Sequence, residues 1–327
     1  MCVTATPLSA TKIVKDNARQ ATRTVTTVAT PVSPINSAQA TTTQVQGSHG
    51  TSSNNVVAEV DRPQHTSIMM VRMIGDEFLT EERDRKYYAD HYTCCPPPLF
   101  IILITLVELG FFTYYTVAKG EVNPSGPVPI DSVFIYRPDK RLELWRFAFY
   151  MFLHAGWLHL LFNLGVQVVV GLPLEMVHGS LRIAAVYMAG VLAGSLGTSV
   201  FDTDVYLVGA SGGVYALLAA HLANVLLNYN NMEFGIVRLI GIFVIASADV
   251  GFAIYDRYAA EQIYAGLPVS YVAHLTGALA GLTIGLLVLK NFEQRLHEQL
   301  LWWVALGVYA ACTIFAVMYN LMHPNYP

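Results

Sequence analysis

Four stretches of this chain, residues 147–174, 205–232, 262–289 and 299–327, contain no Asp, Glu, Lys or Arg. Each exceeds the ~20 residues a helix needs to cross a hydrocarbon core. Backbone placed in lipid must satisfy its own amides and carbonyls, so uncharged runs of this length read as helices. The composition agrees, with 54% of 327 residues hydrophobic and 13% charged, against about 25% charged in an ordinary soluble domain. The chain therefore reads as an all-α polytopic membrane protein, with the lipid bilayer as its first partner. A net charge of -4 gives no ground for a nucleic-acid partner.

Seven spans are expected, at roughly 99–118, 150–172, 181–201, 211–229, 234–254, 270–290 and 301–322. Residues 1–66 are rich in Thr, Ser, Ala, Gln and Pro, and the first aromatic residue is Phe78. Such a segment cannot bury enough apolar surface to offset its ordering entropy, so it is expected to be a disordered cytosolic tail. It carries no basic segment followed by an apolar one, which leaves the first span as the expected insertion signal. That puts the N-terminus in the cytosol and, after seven spans, the C-terminus in the lumen; the Lys and Arg near the span ends mark this only slightly. Residues 67–98 form a juxtamembrane segment of mixed charge, suited to the interface and ended by Pro96–Pro98. The connection 119–149 is too apolar in places for a solvated loop and is expected to lie partly in the interface. Cys2, Cys94, Cys95 and Cys312 suggest no disulfide framework; the Cys94–Cys95 pair is either palmitoylated or a pair of plain thiols.

Polar side chains inside spans are expensive in lipid, and each is a functional candidate by default. The second span opens with His154, His159 and Asn163, the fourth with Ser211 and the sixth with His274. Even-numbered spans start on the same side of the membrane, so His159, Asn163, Ser211 and His274 share a depth. His159 and Asn163 lie four residues apart and project from one helical face, as do Ser211 and Tyr215. Gly277, Gly281 and Gly285 form a small-residue stripe on the sixth span, and Gly212, Ala216 and Ala220 form one on the fourth. Paired stripes of this kind let two helices approach closely in lipid.

A serine hydroxyl needs an adjacent base to act as a nucleophile, and neutral His274 can supply one. Gly209-Ala-Ser211-Gly212 reads as a turn from loop into helix, which leaves unpaired amides around Ser211 to receive an oxyanion. Asn163 and His159 can add side-chain donors. No carboxylate suggests itself as a third member, so a Ser–His dyad is the economical reading, with Tyr215 packed on the imidazole. His154 and His221 are expected to be structural, Arg146 and Glu175 to be anchors, and Glu108 has no evident partner. Metal chemistry fits poorly: "HEQLL" at 297–301 lacks the second histidine of a zinc protease.

Taken in order, Trp145-Arg146, His154, His159-x-x-x-Asn163, Gly209-Ala-Ser211-Gly212 and Ala273-His274-x-x-Gly277-x-x-x-Gly281 resemble the rhomboid family of intramembrane serine proteases. The resemblance implies a six-helix rhomboid core over 99–292 and one extra C-terminal transmembrane helix over 293–327, the secretase type. It implies Ser211 as nucleophile and His274 as general base and acid. Asn163, His159 and the Ser211 amide would form the oxyanion hole, with Tyr215, Gly209, Gly212, Gly277 and Gly281 in support. No cofactor or metal is implied. The fourth span looks especially like the insect branch that serves epidermal-growth-factor receptor signalling. The implied substrates are single-pass membrane proteins, EGF-like ligand precursors among them, shed in the Golgi or at the plasma membrane. The alternative is a catalytically inactive, rhomboid-like chaperone or trafficking factor.

Overall fold

The computed structural model describes residues 69–76, 79, 82–92, 97–124, 126, 128–227, 235–260, 270–289 and 296–322. The expected tail 1–66 and the Cys94–Cys95 pair lie outside them. A helix over 69–76 and another over Glu82–His91 precede the long helices. The long helices are α1 Leu99–Lys119, α2 Trp157–His178, α3 Ser180–Phe201, α4 Ser211–Leu227, α5 Gly235–Ala260, α6 Tyr271–Val288 and α7 Leu296–Met322. Among the described residues α1, α2, α3, α6 and most of α7 are long and apolar enough to cross a membrane, and α4 is a shorter apolar helix.

Local chemistry sets the ends. α1 follows a proline run, which disfavours helical backbone in the residues before it, and stops at Gly120, whose φ of 70° places it in the left-handed region. α2 starts at Trp157, later than the expected 150. The backbone turns at 153–156, with Gly156 at φ 84°. The first amides of α2 are then met from outside the helix: Trp157 N–H donates to the Asn123 carbonyl (3.2 Å) and Leu158 N–H to that of Pro124 (3.3 Å). Inside α2, one π turn spans Gln167–Gly171 just before Pro173. Proline has no amide to give the preceding turn, so the ladder slips there by one residue. α6 is capped by Ser270, whose side chain accepts the Ala273 amide at 3.4 Å.

α4 is the buried centre of the bundle, with Val214, Ala216, Leu217 and Ala220 fully enclosed. α3 and α6 close on it through glycines. A Cβ on Gly277 would strike Gly212, one on Gly281 would strike the Ala216 backbone, and one on Gly285 would strike Ala220. The two stripes read in the sequence therefore meet rung for rung, and α4 and α6 run in the same direction. Gly190 on α3 packs on Gly212 and Ala216 from the other side. Without a hydrophobic drive between helices in lipid, this close backbone contact is a main source of association.

α1 is tied at three levels. Near its start, Phe100 and Ile101 N–H both donate to the Glu175 carboxylate at 2.7 Å; Glu175 also accepts from Ser180. Midway, Gln167 donates to both Glu108 oxygens (2.9 and 3.0 Å), Tyr187 hydroxyl donates to Glu108 (2.9 Å), and Thr105 donates to Gln167 (2.8 Å). Near its end, Tyr115 hydroxyl donates to Ser132 at 2.8 Å. Glu175 is thus an anchor, as expected, and Glu108 has the partners its sequence context did not reveal.

The connection between α1 and α2 is a folded loop. Arg146 is buried, pairs with Glu143 at 2.6 Å, and donates to the Ser132 (3.2 Å) and Ile135 (2.8 Å) carbonyls. Trp145 donates its indole N–H to the Val133 carbonyl at 3.1 Å. Leu142, Leu144 and Val133 point outward, which suits a loop in the membrane interface. α7 packs on α3 and α6, with Asn320 donating to Ser199 at 2.7 Å.

Candidate active site

The chain reaches Ser211 from an extended segment. Tyr136 and Leu207 exchange backbone hydrogen bonds of 3.2 and 3.1 Å, and Gly209 N–H donates to the Tyr150 carbonyl at 3.2 Å. Gly209 has φ 115°, which suits glycine. A side chain there would also collide with the His159 imidazole. Gly209 therefore serves twice, as a left-handed turn and as the surface on which His159 rests. α4 begins at Ser211, and its first intrahelical amide bond comes from Val214 to Ala210 at 3.0 Å. The Ser211, Gly212 and Gly213 amides precede that bond, at the positive end of the helix dipole.

His274 sits on the first turn of α6 and is buried. Its ring is stacked on Tyr215, with centroids 4.5 Å apart and planes 13° from parallel. The offset that sets Gly277 on Gly212, carried back to His274, makes that residue level with Gly209, two residues before Ser211. Neither imidazole nitrogen of His274 has a hydrogen-bond partner among the described residues; the Ser211 hydroxyl is adjacent in level but not bonded to it. Apo catalytic contacts are commonly long and tighten on binding.

On α2, His159 and Asn163 share one face. Asn163 is buried and donates through Nδ2 to the His159 carbonyl at 2.9 Å. An amide carries two such hydrogens, so one remains for a ligand. The structure thus brings His159 to Gly209 in the loop before Ser211 and Tyr215 to His274, while Asn163 hydrogen-bonds within its own helix. His154, in the turn before α2, is buried with its ring 5.2 Å from that of His159. His221 lies buried farther along α4.

Two groups here went unrecognised in the sequence. Tyr150 is fully buried, donates to the Val191 carbonyl at 2.8 Å, and lies under Gly194 and Gly212. Asp249, on α5, places Oδ2 3.6 Å from His274 Nδ1. The depth arithmetic that aligned the even-numbered spans also finds Asp249. It lies 14 residues along α5 from Gly235, a rise of about 21 Å toward the end that carries Ser211.

A helical membrane protein with a serine at a buried helix start, level with an aromatic-stacked histidine, is the class that fold and site define. Residues 141–291 match the family model described as Rhomboid domain. The chain is 42% identical over 282 residues to Rhomboid-related protein 3 of Homo sapiens, covering 85% of this chain and 69% of that one. It is 46% identical over 255 residues to Rhomboid-related protein 2 of Mus musculus, covering 77% and 84%. It is also 35% identical over 216 residues to Inactive rhomboid-related protein 2 of Caenorhabditis elegans, covering 66% and 61%. The chain belongs to the rhomboid family and is a multi-pass membrane protein.

Proposed function

We propose that the chain is an intramembrane serine endopeptidase that cleaves single-pass membrane proteins near the lumenal end of their transmembrane helix. The observation that carries this reading is the Ser211 helix start, flanked by His159 on Gly209 and level with a His274 ring stacked on Tyr215. Ser211 Oγ attacks the scissile carbonyl while His274 Nε2 takes the hydroxyl proton. The oxyanion is received by the Ser211 amide, the spare Asn163 hydrogen and His159. The C–N bond then breaks as His274 returns the proton to the leaving amine. Water, activated by the same imidazole, releases the acyl group and restores Ser211. A peptide bond inside an intact helix is shielded, so the substrate must unwind locally beside Ser211.

EGF-like growth-factor precursors in the Golgi or at the plasma membrane are the substrates in this reading, which rests on the likeness of the fourth span to the insect signalling branch. The N-terminus is cytosolic and the C-terminus lumenal. A fluorophosphonate probe is expected to label the purified full chain and not Ser211→Ala. Absence of labelling in a folded wild type would instead favour an inactive chaperone or trafficking role, a reading supported by the relative whose name carries the word inactive.

A further inference from the structure

A carboxylate in an expected membrane span, here residues 234–254, is costly to keep, and the mechanism above makes no use of Asp249. Asp249 is as buried as His274, at 5% exposure for each. Its Oδ2 lies 3.6 Å from His274 Nδ1, and neither atom has a hydrogen-bond partner among the described residues. Tyr215 lies beside the same ring: it stacks on His274, and its hydroxyl donates to the Ala246 carbonyl of α5 at 3.3 Å. One residue each from α4, α5 and α6 thus meets at the imidazole.

We propose that Asp249 is a positioning residue for His274, accepting its Nδ1–H and so fixing the tautomer whose Nε2 takes the Ser211 proton. This rests on the protease reading given above. The approach needed to reach hydrogen-bond range is roughly 0.6 Å. α5 packs chiefly on α4, so few other contacts oppose that shift. An imidazole with two nitrogens spends part of its time in the wrong tautomer unless one N–H is held. Tyr215 stacking fixes the plane of the ring but not which nitrogen carries the hydrogen; a carboxylate at Nδ1 does.

The test uses the purified full chain in detergent and reads two quantities, the rate of fluorophosphonate labelling at Ser211 and the thermal midpoint. Labelling reports the reactivity of Ser211 without requiring a transmembrane substrate to enter. Asp249→Asn and Asp249→Ala are expected to slow labelling at least about tenfold, well short of the ~10⁴ lost when a soluble triad takes the wrong tautomer, because Tyr215 still holds the ring. Asp249→Glu, which keeps the carboxylate, is expected to label faster than either, a rescue that a role in packing volume alone would not produce, since Asn matches the shape of Asp more closely than Glu does. Wild-type labelling rates in Asp249→Asn and Asp249→Ala would overturn the proposal. So would Asp249→Glu labelling no faster than Asp249→Ala. If Asp249→Ala does not fold, the near-isosteric Asp249→Asn and the Asp249→Glu comparison decide between these outcomes. A folded wild type that takes no label sinks the protease reading instead, so the two failures are distinct.

Discussion

Asn163 has one side chain on which the fold and the proposed chemistry both draw. One amide hydrogen is spent on the His159 carbonyl, and that bond aims the amide while leaving its second hydrogen unspent. Asn163→Ala is expected to lower kcat by roughly 10²–10³, the cost of one oxyanion donor in soluble proteases, with the thermal midpoint little changed. Turnover of a single-pass substrate measures it, and an unchanged kcat removes Asn163 from the hole. At this scale the sequence was partly legible. Histidines, asparagine and serine in lipid announce themselves because each is costly there. Their partners do not. Glu108 could be picked out as an oddity, yet Gln167 and Tyr187 reach it from 59 and 79 residues away, and no local pattern encodes that meeting. Asp249 is hidden for a different reason: the shared depth is marked by residues at the starts of the even-numbered spans, and Asp249 stands well along an odd one.

Elements are arranged by what their small residues permit. At Gly281 an added methyl would meet the Ala216 backbone, whereas at Gly285 it would meet chiefly the Ala220 side chain and Cα. Backbone in a helix cannot yield as a side chain can. Gly281→Ala is therefore expected to destabilise by about 1–3 kcal/mol, the usual range for overpacking. Gly285→Ala should cost less, and Gly281→Val should separate α4 from α6. Thermal unfolding of the three variants in detergent orders them. The α4–α6 stripes were readable because both recur every fourth residue. The second face of α4 was not, although Gly190, Gly194 and Gly197 stand in plain view on α3; a run so rich in Gly and Ala offers several stripes, and only packing chooses among them. The start of α2 was misplaced because the chain stays apolar through the turn at 153–156. Hydropathy has no contrast there, and Gly156 was the sole punctuation.

For the molecule as a whole, the apolar runs marked the seven long helices found among the described residues, and the polar residues that open the even-numbered spans marked the end of the bundle where His159 meets Gly209 and Tyr215 stacks on His274. What they could not give is how firmly α1 is fastened. Glu175→Ala would orphan two amides of α1 and release Ser180. It is expected to cost on the order of 3 kcal/mol, as hydrogen bonds to a charged group in a buried site do, read as a lowered midpoint for the entire bundle. Fastened at its start, middle and end, α1 has no freedom to slide or tilt on its own. A bilayer thinner or thicker than its apolar length must then be met by lipid deformation or by rotation of the bundle as one body. The spacing between His159, Ser211 and His274 is thereby insulated from the thickness of whichever membrane the chain occupies.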